Sequence, residues 1–229
     1  LTEGESEIPL EEALTVAENF AMLPSGALSF LGNTEGHIPS FTFSKDGVTV
    51  SVSRKGGYTV YMRKDREIGE NILSADIARE KAKRYLSKMG LSGFKETYYY
   101  LSGGILLINF AYIDGETLCY TDLIKVGVAM DNGEIVLYEA AGYISNHRDR
   151  AFVTPEYSSE QAKEVLNKAL KVTGVGIALI PTAADEVRCY EFACTASDGK
   201  EILVYINVSS LKEEEILILL KSDGGTLVK

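Results

Sequence analysis

SADIAREKAKRYLSKMG, residues 74–90, decides how the rest of the chain is read. Ala78, Ala82, Tyr85 and Leu86 fall at helical steps, and the positions between them are filled by Asp, Arg, Glu and Lys. A single apolar stripe on a charged cylinder is the pattern of a helix laid on a core. Ser74 stands before it as an N-cap, and Gly90 follows as a stop. The signature returns on either side, in PLEEALTVAENFAML from Pro9 and SSEQAKEVLNKALKVTG from Ser158. Each copy opens with Pro or Ser and places an alanine four residues later: Ala13, Ala78 and Ala162. Ser158 with Gln161 forms a capping-box pattern, Pro9 suits a first turn, and Gly174 is read as the stop of the third helix.

After each helix the apolar period changes to two, as in Val48, Val50 and Val52 between Thr49, Ser51 and Ser53. Turn signals then punctuate the chain at Lys55 to Gly57, Ser102 to Gly104, Asp114 to Gly115, Asn132 to Gly133, Ala183 to Glu186, Asp198 to Gly199 and after Ser209. Asn132-Gly133 reads as a two-residue hairpin turn, and the apolar run of KEEEILILL, residues 212–220, as a buried strand. The expected fold is α+β: three tandem units, 1–69, 70–152 and 153–229, each a helix packed on an antiparallel sheet. Unequal spacing of the three anchor alanines argues against a solenoid, and units this small should lean on one another.

Composition narrows the partners. Thirty-three acidic residues against 23 basic give a net charge of −10, which repels nucleic acid and anionic lipid. No apolar run nears the roughly 20 residues that cross a bilayer, and no signal-peptide zones open the chain, so it reads as soluble. Cys119, Cys189 and Cys194 are too few for a disulfide scaffold and read as small buried hydrophobes.

The chemistry-bearing candidates collect in GYISNHRDR, residues 142–150, after the last strand of the second unit. His147 beside Asp149, with Ser145 two residues away, is local adjacency and not a triad, and no G-x-S-x-G stretch supports it. DNGE, residues 131–134, lacks the further oxygen ligands of a calcium loop. No catalytic residue, metal or cofactor is therefore expected. Tyr143, Asn146, His147, Arg148 and Arg150 are read instead as a joint that bonds carbonyls or carboxylates of the adjoining units. Tyr98 and Tyr100, in a run of three tyrosines, are candidates for stacking a sugar or anchoring a protein, unless they pack under a helix.

The runs VAMDNGEIVLYEAAGYISNHRDR (128–150), ALIPTAADEVRCYEFACTASDGKEILVYINVSS (178–210) and EEEILILLKSDGGTLVK (213–229) carry a resemblance. In their order they resemble the C-terminal region of the YpeB family of spore-germination proteins, built of tandem PepSY domains. That resemblance implies a non-catalytic protein that binds, stabilises and restrains a spore-cortex-lytic hydrolase. It also implies a place on the outer face of the inner spore membrane, reached through an N-terminal anchor that this sequence does not contain. Cortex peptidoglycan binding and PepSY-type peptidase regulation are the alternatives. Strand edges at the ends of a three-unit row could pair two copies into a homodimer.

Overall fold

The protein is described by a computed structural model covering residues 1–183, 185–222 and 225–228. In chain order the elements are α1 (Leu10–Phe20), β1 (Ser29–Thr34), β2 (Ser40–Lys45), β3 (Val48–Ser53), β4 (Thr59–Lys64), α2 (Ala75–Lys88), β5 (Phe94–Ser102), β6 (Ile105–Asp114), β7 (Thr117–Ala129) and β8 (Ile135–Glu139). They continue with α3 (Ala141–Asn146), α4 (Ser159–Glu164), β9 (Lys171–Pro181), β10 (Glu186–Thr195), β11 (Glu201–Asn207), β12 (Glu213–Ser222) and β13 (Gly225–Val228). The class is α+β, with few helices on a large, mostly antiparallel sheet.

The first two helices form where the stripes lie. Ser74 accepts from the Ile77 amide, and Gly90 takes the left-handed conformation (φ +76) that ends α2. Ala13 and Ala17 of α1, and Ala78, Ala82, Tyr85 and Leu86 of α2, are all buried on one face of the ribbon β1-β2-β3-β4-β8-β7-β6-β5. Phe43, Val50, Met62, Ile108, Phe110 and Ile124 rise from the strands to meet them. The two helices thus share one core, closed by a cluster of Phe20, Tyr85 and Tyr138 rings.

The third helix is shorter than its stripe suggests. The capping box of Ser158 and Gln161 is present, but α4 ends at Glu164. Asn167 turns its side chain onto the Ala169 amide, competing with the helical ladder. Lys171 onward, with β-branched Val172, Thr173 and Val175, pairs with β10 instead, so Gly174 lies inside β9 and stops no helix. The hairpin at Asn132-Gly133 is present, since β7 and β8 pair antiparallel, but its two-residue turn is corrected. The β7–β8 connection runs from Met130 to Glu134, with Gly133 alone in the left-handed region and the Asn132 side chain accepting from the Glu134 amide.

In the remaining strands, alternation serves two cores. On β11, Val204 and Ile206 pack under α4, while Leu203 and Tyr205 point the other way. Cys194 and Cys189 divide between the same two sides, as five-residue spacing in a strand requires. The far side faces back toward β5–β7, because β9 pairs with β10 on one edge and, in parallel, with β7 on the other. At the opposite end β13 pairs with β12 and meets β5 at Gly225 and Tyr100. Strands β5, β6, β7, β9, β10, β11, β12 and β13 therefore form a closed ring. β12 is the strand expected from KEEEILILL, with Leu217 to Leu219 half-buried and Ile216 exposed.

Gly225 makes the closure possible. A Cβ there would stand 2.3 Å from the Tyr99 carbonyl oxygen, and its φ of +125 suits glycine alone. Gly225→Val is expected to cost about 1–3 kcal/mol and to raise amide exchange along β13 and at Tyr100, while α2 keeps its protection. Hydrogen exchange read by mass spectrometry measures both.

Candidate functional site

The joint begins with an irregularity in β7. Ala111 of β6 pairs with Leu123, but the next residue, Tyr112, pairs with Cys119, so Tyr120, Thr121 and Asp122 are extra and bulge from the ladder. The bulge carries Asp122 to a fully buried position. α3 then packs across it, with Gly142 leaving room for the Leu123 carbonyl 3.3 Å from where a Cβ would sit. Asn146 at the end of α3 donates to the Thr121 carbonyl at 2.8 Å.

Three side chains converge on the Asp122 carboxylate. His147 Nδ1 lies 2.8 Å from Oδ2, Arg150 donates to both oxygens at 2.8 Å, and the Thr121 hydroxyl donates to Oδ1 at 2.9 Å. Arg150, 5% exposed, extends its fork to Glu186 at the start of β10, with Nε 2.8 Å from Oε1. Arg148 reaches the same Glu186 oxygen at 2.7 Å from a half-exposed position. Farther along, Arg188 of β10 donates to Thr117 and to the Val153 carbonyl and stacks over Phe152. Residues of the 142–150 stretch therefore tie the bulge of β7 to the first residue of β10.

Arg150 from within and the half-exposed Arg148 from the rim offset the Asp122 and Glu186 carboxylates, which lets Asp122, Arg150 and most of Glu186 lie buried. Burial pushes the Asp122 carboxyl upward, but the bonds from Arg150, His147 and Thr121 outweigh it and hold the group below the usual carboxylate range. Burial likewise works against the Arg150 charge, and Asp122 and Glu186 reverse it, so the guanidinium stays fixed as a cation.

His147 pairs with Asp122, not with Asp149. Its ring lies 4.5 Å from that of Tyr112 and 4.6 Å from that of Tyr143, measured between centroids. Among the described residues, Asp122 is the partner of the imidazole, and no bond from Ser145 reaches it. Burial pushes the Cys119 thiol up to about 11 and Cys189 to about 12, far from a thiolate at neutral pH. No group of three or more potential metal ligands occurs among the described residues.

The structure gathers Tyr143, Asn146, His147, Arg148 and Arg150 and leaves Tyr98 and Tyr100 apart, on the face of β5 turned away from α2. Tyr98 borders a cavity inside the ring, and Tyr100 stands where Gly225 closes it. All 13 tyrosines are buried or half-buried. Sequence reasoning did not name Asp122, and it named Glu186 only as the end of a turn. The signal for Asp122 is a lone carboxylate between the apolar pairs Leu118-Cys119 and Leu123-Ile124, where an unpaired charge is untenable.

Comparison with known proteins agrees with this architecture. The family described as "YpeB sporulation, PepSY1 and PepSY2 domains" matches residues 2–153, and "Peptidase propeptide and YPEB domain" matches 156–217. A sporulation protein YpeB of Halalkalibacterium halodurans is 34% identical over 170 residues, 73% of this chain and 37% of the relative. Those of Bacillus subtilis and Oceanobacillus iheyensis are 26% and 29% identical over 92% and 96% of this chain, and 49% and 50% of their own lengths. The chain thus spans half or less of the curated relatives it matches. Among solved structures, the Bacillus megaterium YpeB C-terminal domain superposes with a TM-score of 0.81 at 24% identity, covering 94% of this chain and 99% of that one, a likeness of fold. With one family matching two thirds of the sequence and the same arrangement found in its solved C-terminal domain, the chain belongs to the YpeB family of sporulation proteins, as its C-terminal region.

Proposed function

We propose that this chain is a non-catalytic binding protein of the spore that holds a cortex-lytic hydrolase and keeps it intact until germination. It would do so on the outer face of the inner membrane, tethered by a segment outside this sequence. The three tandem units, 1–69, 70–152 and 153–229, are its scaffold, the first two joined through their common core and the third through the Asp122–Arg150–Glu186 joint.

The observation that carries this reading is the edge of β1. Among the described strands it alone has an edge that meets no other strand, since the far end of the sheet closes on β7. Leu31 on it is 68% exposed and Phe30 is 47% exposed. An uncovered, uncharged edge with projecting apolar side chains is a template for strand addition by a protein partner. The rim of the joint, where Arg148 reaches solvent beside Tyr143 and His147, is a second surface for the same partner. Covering the hydrolase's labile segments lowers their exposure to proteases by mass action.

The purified chain mixed with the lytic enzyme is expected to co-elute with it and to slow its proteolysis. Leu31→Lys should weaken the complex by about tenfold or more without moving the melting temperature. If the two neither co-elute nor alter proteolysis, holding by this region is wrong. Sedimentation with purified cortex checks the glycan alternative, which the absence of any exposed tyrosine disfavours.

A further inference from the structure

Between the C-terminal ends of α1 and α2 and the short helix α3 lies a cavity of about 200 Å³. Val16 and Phe20 of α1 line it together with Met89 and Leu91, just past α2, and with Tyr138 of β8 and Tyr143 of α3. No charged side chain borders it, and the Leu1 amine at its rim donates to the Ile144 carbonyl at 2.7 Å. The side-chain lining is therefore uncharged and rich in aromatic rings.

One polar group on this lining stands out. Among the described residues four tyrosines are fully buried, and three of them use their hydroxyls: Tyr85 donates to the Phe20 carbonyl, Tyr190 to the Tyr157 carbonyl and Tyr205 to Glu191. The fourth is Tyr138, 2% exposed, whose ring lies 4.6 Å from that of Phe20 and 6.4 Å from that of Tyr85, measured between centroids. No hydrogen bond with a described residue engages its hydroxyl. A buried hydroxyl left unpaired forfeits a bond that a guest in the cavity can restore. Burial keeps that hydroxyl protonated, and the neighbouring Tyr143 phenol adds to the effect, so it can donate as well as accept.

We propose that this cavity takes a neutral aromatic ring carrying one hydroxyl, a phenol, whose oxygen bonds Tyr138 while its ring packs against Phe20, Tyr143 and Met89. The size fits: an apolar cavity of about 150 Å³ holds benzene, and the extra space here takes a hydroxyl and a methyl group. Ring edges and a thioether favour an aromatic guest over a saturated one of the same shape. A charged ring substituent would lie against these walls with no side chain to offset it. The same chemistry is offered by a free phenol and by a tyrosine side chain on a polypeptide. The site shares Tyr143 with the joint, but it is separate from the β1 edge and does not rest on the partner proposed above.

The test titrates the whole chain with p-cresol, toluene and 4-methylcyclohexanol, by calorimetry and by methyl NMR. p-Cresol should bind at least about fivefold tighter than either of the others and shift the Val16, Leu91 and Ile144 methyl resonances. Tyr138→Phe, which keeps the ring in the core, should bring p-cresol down to the affinity of toluene and leave toluene unchanged. Val16→Phe, which fills the space, should abolish binding of all three, with circular dichroism confirming the fold. If that variant fails to fold, Tyr138→Phe and the three-ligand ranking decide the matter. N-acetyltyrosinamide separates the two sources. Binding at least as tight as that of p-cresol assigns the ring to a polypeptide, and its exclusion while p-cresol binds assigns a free phenol. Toluene or the saturated alcohol binding as tightly as p-cresol, no resonance shift up to the solubility limit, unchanged p-cresol affinity in Tyr138→Phe, or full binding by a folded Val16→Phe chain would each overturn the assignment.

Discussion

Arg150→Met is expected to lower the stability of the protein by about 3–5 kcal/mol, because it strands the fully buried Asp122 carboxylate without its principal counter-charge. The loss should exceed that from Arg148→Met, whose half-exposed guanidinium contributes about 1 kcal/mol or less. Equilibrium urea denaturation separates the two. The sign of the pH dependence follows from the depressed Asp122 carboxyl. A group whose folded value lies below its unfolded value, about 3.9 for aspartate, stabilises the fold above that pH and loses the contribution as pH falls through the folded value. The wild type should therefore lose this share of its stability below about pH 4. In Arg150→Met, burial without the guanidinium raises the carboxyl, so the gap between variant and wild type narrows on acidification. Adding Asp122→Asn to Arg150→Met should recover part of the loss, since it removes the stranded charge. A gap that stays constant from pH 7 to pH 3 would show that Arg150 acts through packing alone.

Phe43→Ala should cost about 3–5 kcal/mol, the usual effect of deleting a fully buried aromatic ring. Its informative consequence is remote. Phe43 is on β2 beneath α1, yet it belongs to the core that also holds Ala78, Ala82 and Leu86 of α2. If that core unfolds as one body, amides of residues 75–88 lose protection together with those of α1, by the same free energy. Amides of β10 and β11, whose outer side packs on a separate core under α4, should change less. Hydrogen exchange on the variant reads this directly. Unchanged protection in α2 would mean that the first two segments fold independently.

The elements that could be read from sequence are those whose signals are local. The stripe and caps of α2, and the turns at Gly56, Gly103, Gly115 and Gly199, need only neighbouring residues to specify them, and these features lie where they were expected. The end of α4 was not legible, since a stripe continues through Leu166 and Ala169 while the strand partner that captures Lys171 to Pro181 sits on β10. β1 was missed for the opposite reason: SFLGNT has no burial alternation, because the strand is an exposed edge. At the candidate site the sequence supplied Asn146, His147, Arg148 and Arg150 but not their receptors. Asp122 and Glu186 become neighbours only when β7 and β10 are brought together, and no spacing along the chain encodes that approach.

Ring closure has a kinetic consequence. Nearly every pairing in the sheet is a hairpin between successive strands, which zips on a microsecond scale. Three are not. β4 must find β8 across α2 and three strands, the parallel seam of β7 with β9 must wait for β8, α3 and α4 to fold back, and β13 must find β5 across more than half of the chain. Such distant encounters are slow, and refolding should show a fast phase for the hairpins followed by a late one in which the cylinder shuts.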